Sequence, residues 1–522
     1  MVDRRAFFKT GAAAAGLLGA LGAEKAGADV PVHLWDGYDF GPGPEVPDRL
    51  GQGPFGDQGV QDWATIASTT PSDEHIRNYG LGLVGYTWEE GGPSLAARAG
   101  RESLEQHVGK LAQLPFMDIL YIRCDWRNVQ KAPGRLDLDP VWKLTLDAAK
   151  TYGLRVGFRV QLSSPNFQPE KLSLPGFLQG KVPLVNIGGK NTRRKKDLLE
   201  PLYSHPEFLK AFRELNELLA AEFDNDPLVE FMDLMQYGFW GEGHTGGCPS
   251  PFPDYLTAEK TFEEITRLQL ETWKKVPLAV NTQPDSSGAG NRQVIDMTVR
   301  AGGWLRSDSI IHDEPIQIER LSGRPPWLAV VMEQGWRRDY NVDKIPVNRE
   351  TGINAKEKSM LHVLNLRANY WSLWTEADGL ARYHERYPRG FTTLQRRMGY
   401  RVRPAWIWQR EHMNVPELVI GFANDGVAGV PGVLRVTVSS LNGRFTKTGC
   451  LDAGRPYGGQ VRQANFFLPE SMYGQKLKIR GELLTNGVAR PLQWACAEKL
   501  NPDKSLTVQL KEKGKLVWGG VY

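Results

Sequence analysis

Several familiar signatures are missing from this sequence, and each absence removes a class of protein. No G-x-G-x-x-G follows an apolar run, so the phosphate-binding turn of a dinucleotide fold is lacking. No G-x-S-x-G elbow occurs, which argues against a Ser-His-Asp hydrolase of the α/β type. The four cysteines (Cys124, Cys248, Cys450 and Cys496) are scattered without C-x-x-C spacing, so no zinc or dithiol motif is present. Cys124 lies inside an apolar run and reads as buried filler, whereas Cys450 and Cys496 could pair in an oxidising compartment. A net charge of +4 over 522 residues leaves no electrostatic footprint for nucleic acid. No apolar run reaches the roughly 20 residues needed to span a bilayer.

What is present begins at the amino terminus. Asp3-Arg4-Arg5-Ala6-Phe7-Phe8-Lys9 resembles the twin-arginine export motif. A Gly/Ala-rich stretch from Gly11 to Gly22 and the small residues Ala26-Gly27-Ala28 follow it, the layout of a cleavable signal peptide. Residues 1–28 are therefore expected to be removed, leaving a periplasmic or secreted protein with no membrane anchor. Residues 29–77 are rich in Gly, Pro and Asp without a sustained period and read as an irregular wrap.

From Asn78 onward short apolar runs alternate with helical patterns, the rhythm of βα units. Eight runs are expected as strands: Leu81–Trp88, Ile119–Trp126, Leu154–Leu162, Val229–Gly238, Leu278–Thr282, Ile310–His312 with its flanks, Leu328–Met332 and Leu366–Trp374. The sixth is the weakest, because Trp304-Leu305-Arg306-Ser307-Asp308 breaks the apolar pattern ahead of it. Eight units over residues 78–410 predict an α/β fold, a (β/α)8 TIM barrel, with an open doubly wound sheet as the rival. Residues 163–203, including Arg193-Arg194-Lys195-Lys196, read as a long loop on the third unit, and the charge run as a solvated face. After about 410 the pattern changes to short strands separated by turns such as Leu441-Asn442-Gly443. Residues 411–522 are thus expected to form a small β-sandwich.

In such a barrel the chemistry sits at the carboxyl ends of the strands. Glu242 follows the fourth run in Trp240-Gly241-Glu242-Gly243-His244, and Glu333 follows the seventh in Met332-Glu333-Gln334-Gly335-Trp336. Two carboxyls about 5–5.5 Å apart are what retaining glycoside hydrolysis needs, and strands four and seven face each other over the barrel mouth. Arg123, Asp125 and Arg159 carry charge within apolar runs, so each must be paired or face the cleft. Trp88, Trp126, Trp240, Trp336 and Trp374 end candidate strands, where flat rings suit sugar faces. His244 and His312 are candidate substrate contacts. A His/carboxylate metal cluster around His312, Glu242 and His244 is a rival chemistry. Neither a metal nor a cofactor is expected to be needed, and the expected partner is a carbohydrate, not nucleic acid.

These residues resemble the clan of retaining (β/α)8 glycoside hydrolases, over residues 78–400. The resemblance implies that Glu242 is the acid/base and Glu333 the nucleophile. It matches Arg123 with the clan's arginine beside the nucleophile, and Trp374 or Trp371 with its platform tryptophan. The stretch from Trp126 to Tyr152 is similar to β-galactosidase-like members. The two-domain layout resembles a bacterial barrel-plus-β-sandwich family of unknown function. Where the clan places Asn before the acid/base, this chain has Gly241. The function implied is cleavage of a poly- or oligosaccharide, such as a β-galactoside, by a retaining two-glutamate mechanism. The alternative is an exported glycan-binding protein without catalysis.

Overall fold

In a parallel sheet wrapped by helices both faces of every strand are covered, so its strands carry nearly continuous buried runs. Gly82–Trp88 and Ile119–Asp125 are buried at every position. The structure, a computed structural model, describes residues 63–88, 100–163, 172–189, 196–245, 247–283, 290–308, 321, 323–334, 355–412, 415–452 and 462–514. The signal-peptide expectation and the basic run Arg193-Arg194-Lys195 lie outside them.

The chain opens with β1 (Trp63–Ser68), then β2 (Gly82–Trp88), α1 (Leu104–Ala112), β3 (Ile119–Asp125), α2 (Pro140–Tyr152) and β4 (Arg155–Gln161). A hairpin of β5 (Leu184–Asn186) and β6 (Leu199–Pro201) leads into α3 (Pro206–Phe223). There follow β7 (Val229–Asp233), α4 (Tyr255–Thr272), β8 (Leu278–Asn281), α5 (Gly290–Arg300), β9 (Trp304–Ser307) and β10 (Val330–Glu333). The barrel finishes with α6 (Ala355–Asn365), β11 (Tyr370–Leu373), α7 (Ala377–Arg386) and α8 (Pro388–Arg397). Local signals set these boundaries. Ser103 and Gln106 form a reciprocal capping box on α1, and Asp139 caps α2, whose other end stops at left-handed Gly153.

Strands β2, β3, β4, β7, β8, β9, β10 and β11 close in that order into a parallel barrel, the (β/α)8 architecture. Ile310–His312 lies outside the described residues. Among the described residues the sixth barrel strand is Trp304–Ser307, the segment whose charges break the apolar pattern. Its alternation is intact: Trp304 joins the interior cluster and Leu305 the helix-facing core. Arg306 continues the inward set, as its partners below show.

Two cores result. Leu83, Leu120, Ile122, Val156, Phe158, Met232 and Leu305 face the helices. Val84, Tyr121, Phe231, Trp304, Val331 and Tyr370 fill the lower barrel, and this interior cluster runs on through Leu81, Tyr400 and Val402 into the second domain.

That domain begins earlier than residue 411. β12 (Val402–His412) and β13 (Val415–Asn424) pair with each other, flanked by β1 on one side and β16 (Arg462–Phe467) on the other. The second sheet combines β14 (Val433–Ser440), β15 (Thr446–Leu451), β17 (Lys476–Thr485), β18 (Val488–Leu492) and β19 (Leu506–Gln509). The segment expected as a wrap thus supplies an edge strand, β1. Cys450 is exposed and Cys496 buried, and both are free thiols rather than a pair. Among the described residues no helix is long and apolar enough to cross a membrane.

Candidate active site

Alternation along each strand decides which side chains reach the barrel axis. The inward set on β3 is Ile119, Tyr121 and Arg123, because Leu120, Ile122 and Cys124 face the helices. The same rule turns Arg159 on β4, Asp233 on β7, Arg306 on β9 and Glu333 on β10 inward. The lower barrel is therefore aromatic and aliphatic, and its carboxyl end is charged.

Glu333 closes β10 and is 4 % exposed. Its Oε1 accepts from the Tyr86 hydroxyl at 2.6 Å, Arg306 Nη2 at 2.8 Å and Arg123 Nη1 at 3.3 Å. Ser372 steadies Tyr86 by donating to its hydroxyl at 3.1 Å. Glu242, also 4 % exposed, sits on the loop after β7. Its Oε1 accepts from Arg159 Nη1 at 3.0 Å and from Arg123 Nη1 at 3.4 Å, while Oε2 meets His244 Nε2 at 3.2 Å. Arg123 thus touches both glutamates. Oxygens of Glu242, Asp308 and Glu333 lie within 4.8 Å of one another. Such a trio has the donors for a divalent cation. Three guanidiniums already occupy that role, so the residues do not fit a metal centre.

The loop that carries Glu242 is tightly bent. Gly238 has φ 77° and ψ −161°, a region open essentially to glycine alone. Trp240 holds a left-handed φ of 58°, uncommon for a bulky residue. The bend is fixed by Phe239 N–H donating to His244 O at 2.8 Å, and by Arg159 Nη1 and Gln161 Nε2 donating to Trp240 O. Asn281 on β8 donates to Glu242 O at 2.8 Å.

Two residues absent from the sequence-based set complete the network. Asp233, fully buried at the end of β7, accepts from Tyr121 OH at 2.5 Å and Arg159 Nη2 at 3.1 Å, and pairs with Arg306 Nη1 at 2.9 Å. Asp308, just past β9, accepts from Arg306 Nε at 2.6 Å. The signal for both was their position at or just beyond a strand's carboxyl end. Arg306 and Asp308 were hidden because their charges break the apolar pattern at β9.

Burial, reinforced by the Asp308 charge, pushes the Glu333 carboxyl up to about 8 against the pull of Arg306 and Arg123. Asp308 goes the other way: burial opposes it, but Arg306 and Arg159 hold it down at about 2. Glu333 thus has a second carboxylate, Asp308, at its side.

The remaining expected contacts divide. His244 and half-buried Trp240 stand together, their ring centroids 5.7 Å apart. Trp374 packs against the interior cluster and donates its indole N–H to Gln334 O at 2.9 Å; the alternative, Trp371, faces the helix layer beside Tyr383. Trp126 is a correction: fully buried, it packs edge-on against Phe208 and Phe212 of α3 and belongs to the helix-facing core. Trp88 is another, for a register irregularity at Thr87 carries it into that same core. Asp125 is buried, accepting from Ser173 Oγ at 3.0 Å and Arg127 Nη2 at 2.8 Å. His312 and Trp336 lie outside the described residues.

A closed eight-stranded barrel with acidic side chains converging at its carboxyl end defines the class to which this chain is compared. No family model and no curated protein matches the sequence. The chain is similar to the catalytic domain of β-amylase from Paenibacillus polymyxa, with 9% identity, 58% of this chain and 94% of that one covered, and a TM-score of 0.38. It is also similar to endo-glycoceramidase II from Rhodococcus sp., with 12% identity, 77% and 99% covered, and a TM-score of 0.36. A β-galactosidase from Rahnella sp. R3 gives 12% identity, 64% and 59% covered, and a TM-score of 0.39.

Proposed function

We propose that this protein is a glycoside hydrolase that works with retention, using Glu333 as nucleophile and Glu242 as acid/base. The observation that carries the proposal is the convergence of these carboxyls, with oxygens within 4.8 Å over the mouth of the barrel. Oxygens that close are compatible with the roughly 5–5.5 Å between the carboxyls of retaining enzymes. Tyr86, Arg306 and Arg123 all hold the same Glu333 oxygen, which orients the other for attack.

The chemistry needs one proton on the pair. Burial and Asp308 favour a proton on Glu333. Its transfer to Glu242 yields an ionised nucleophile and a protonated acid together, with no change in total charge. Glu333 then attacks the anomeric carbon while Glu242 protonates the departing glycosidic oxygen. In the second step Glu242 takes a proton from water, whose oxygen displaces Glu333 and restores the starting state.

The substrate class we propose is an oligo- or polysaccharide of β-galactoside-like kind, met outside the cytoplasm after twin-arginine export. Incubation of the protein lacking residues 1–28 with a panel of plant and algal glycans, with the product anomer read by NMR, tests the reading. Release of reducing ends with the anomeric configuration kept is the expected result; an inverted first product overturns retention. The second reading, glycan binding without hydrolysis, draws on Gly241 in place of the clan's Asn. Saturable binding with no reducing ends released by the wild-type chain is its signature.

A further inference from the structure

The two glutamates are held apart by a chain of charges that meets in one residue. Glu242 is bonded to Arg159, Arg159 to Asp233, Asp233 to Arg306, and Arg306 to Glu333, at 3.0, 3.1, 2.9 and 2.8 Å in turn. Arg159 and Arg306 are among the largest fully buried side chains in the molecule, and Asp233 is 0 % exposed. One Asp233 oxygen, Oδ2, takes both guanidiniums and the Tyr121 hydroxyl. Arg306 is spread further, over Asp308 and Tyr86 as well as Glu333.

We propose that Asp233 is a positioning residue for the reaction: by bridging Arg159 and Arg306 it sets the separation of Glu242 and Glu333 and limits the positive charge each one feels. The inference rests on the glycosidase reading, because it concerns how that pair is tuned. The physics follows from sharing. A guanidinium already neutralised by Asp233 stabilises a carboxylate less than a free one does, since the interactions are close and the surroundings dry. Without Asp233, both arginines turn their full charge on the glutamates, and Glu333 gives up its proton at a lower pH. Among the described residues, the charged or titratable groups that face Glu333 enter this balance: Arg306 and Asp308 from β9 and its end, Arg123 from β3, Glu242 from the β7 loop, and Tyr86 from β2. Asp233 touches neither glutamate in the hydrogen-bond network, so it acts through the arginines alone.

The test uses Asp233→Asn in the full chain, with and without Glu333→Gln. Asn keeps the shape and removes the charge. The difference in melting temperature between each protein and its Glu333→Gln partner, followed across pH, reports the Glu333 titration without any turnover. We expect the alkaline end of that titration to move down by about one pH unit in Asp233→Asn, and kcat to fall about 10–100-fold at little change in KM. Tyr121→Phe, which removes one anchor of Asp233 and touches neither glutamate, serves if Asp233→Asn does not fold; it should lower kcat several-fold with KM kept. A Glu333 titration and kcat unmoved in the folded Asp233→Asn, or in its absence unmoved in Tyr121→Phe, overturn the inference while the glycosidase reading stands. A moved titration in a wild-type chain that cleaves no glycoside keeps the electrostatic inference and removes the glycosidase reading.

Discussion

At the scale of single residues, Glu333 is where burial and chemistry meet most directly. Its carboxyl is pushed up to about 8, above the ordinary carboxylate value it has in the unfolded chain. It therefore contributes stability that is full below about pH 4.5 and is lost as pH rises through about 8. Glu333→Gln mimics the protonated form and lacks that dependence. Thermal melts from pH 5 to 9 should show the variant gaining on the wild type up to about pH 8 and then running parallel to it; a gap that stays constant refutes the raised carboxyl. The same substitution should abolish turnover, by at least about 1,000-fold in kcat, because an amide cannot form the glycosyl ester. In the proposed mechanism the Glu242–Glu333 pair carries one proton, so wild-type kcat/KM should fall as pH climbs past about 8. A profile still rising at pH 9 contradicts the shared proton. Asp125 and Trp126 teach a complementary lesson. Both have a residue type suited to sugar binding, yet each is fully enclosed with partners of its own, and only packing tells a wall from a core.

At the scale of elements, the loop from Gly238 to His244 delivers Glu242 by means of a backbone that other residues avoid. A Cβ on Gly238 would lie 2.1 Å from His244 O, a backbone atom with little freedom to yield. Gly238→Ala should therefore cost roughly 2–4 kcal/mol and disturb Glu242, read as a lower urea midpoint together with a loss of kcat. An unaltered midpoint and rate show that the bend is not what holds the acid/base. Strand β9 makes a related point about legibility. Seven of the eight expected barrel strands overlap strands of the structure, because their buried faces are apolar. The strand Trp304–Ser307 was hard to read because Arg306 and Asp308 satisfy each other inside the barrel, and an ion pair buried on an inward face reads in sequence as a loop.

At the scale of the whole molecule, the two domains share one apolar interior. Tyr79, Leu81, Tyr400 and Val402 link the lower barrel to Ile407, Ile420, Phe422 and Trp494 of the sandwich. Asn78 exchanges two hydrogen bonds with the Gln493 backbone, at 2.9 and 2.8 Å, and β1 pairs with β12 across a long sequence separation. A barrel ending at Arg397 would expose that interior. We expect it to be insoluble or to bind a hydrophobic dye strongly; a soluble, cooperatively melting barrel would make the sandwich a detachable accessory. The alternation of apolar runs and helical segments, with the later change to short strands, determined the barrel and the sandwich, because periodic burial is written in local sequence. Which charges face one another was decided only by closure of the sheet. Asp233, Arg306 and Asp308 are scattered along the chain, and nothing but the barrel's curvature and register brings their side chains to one point.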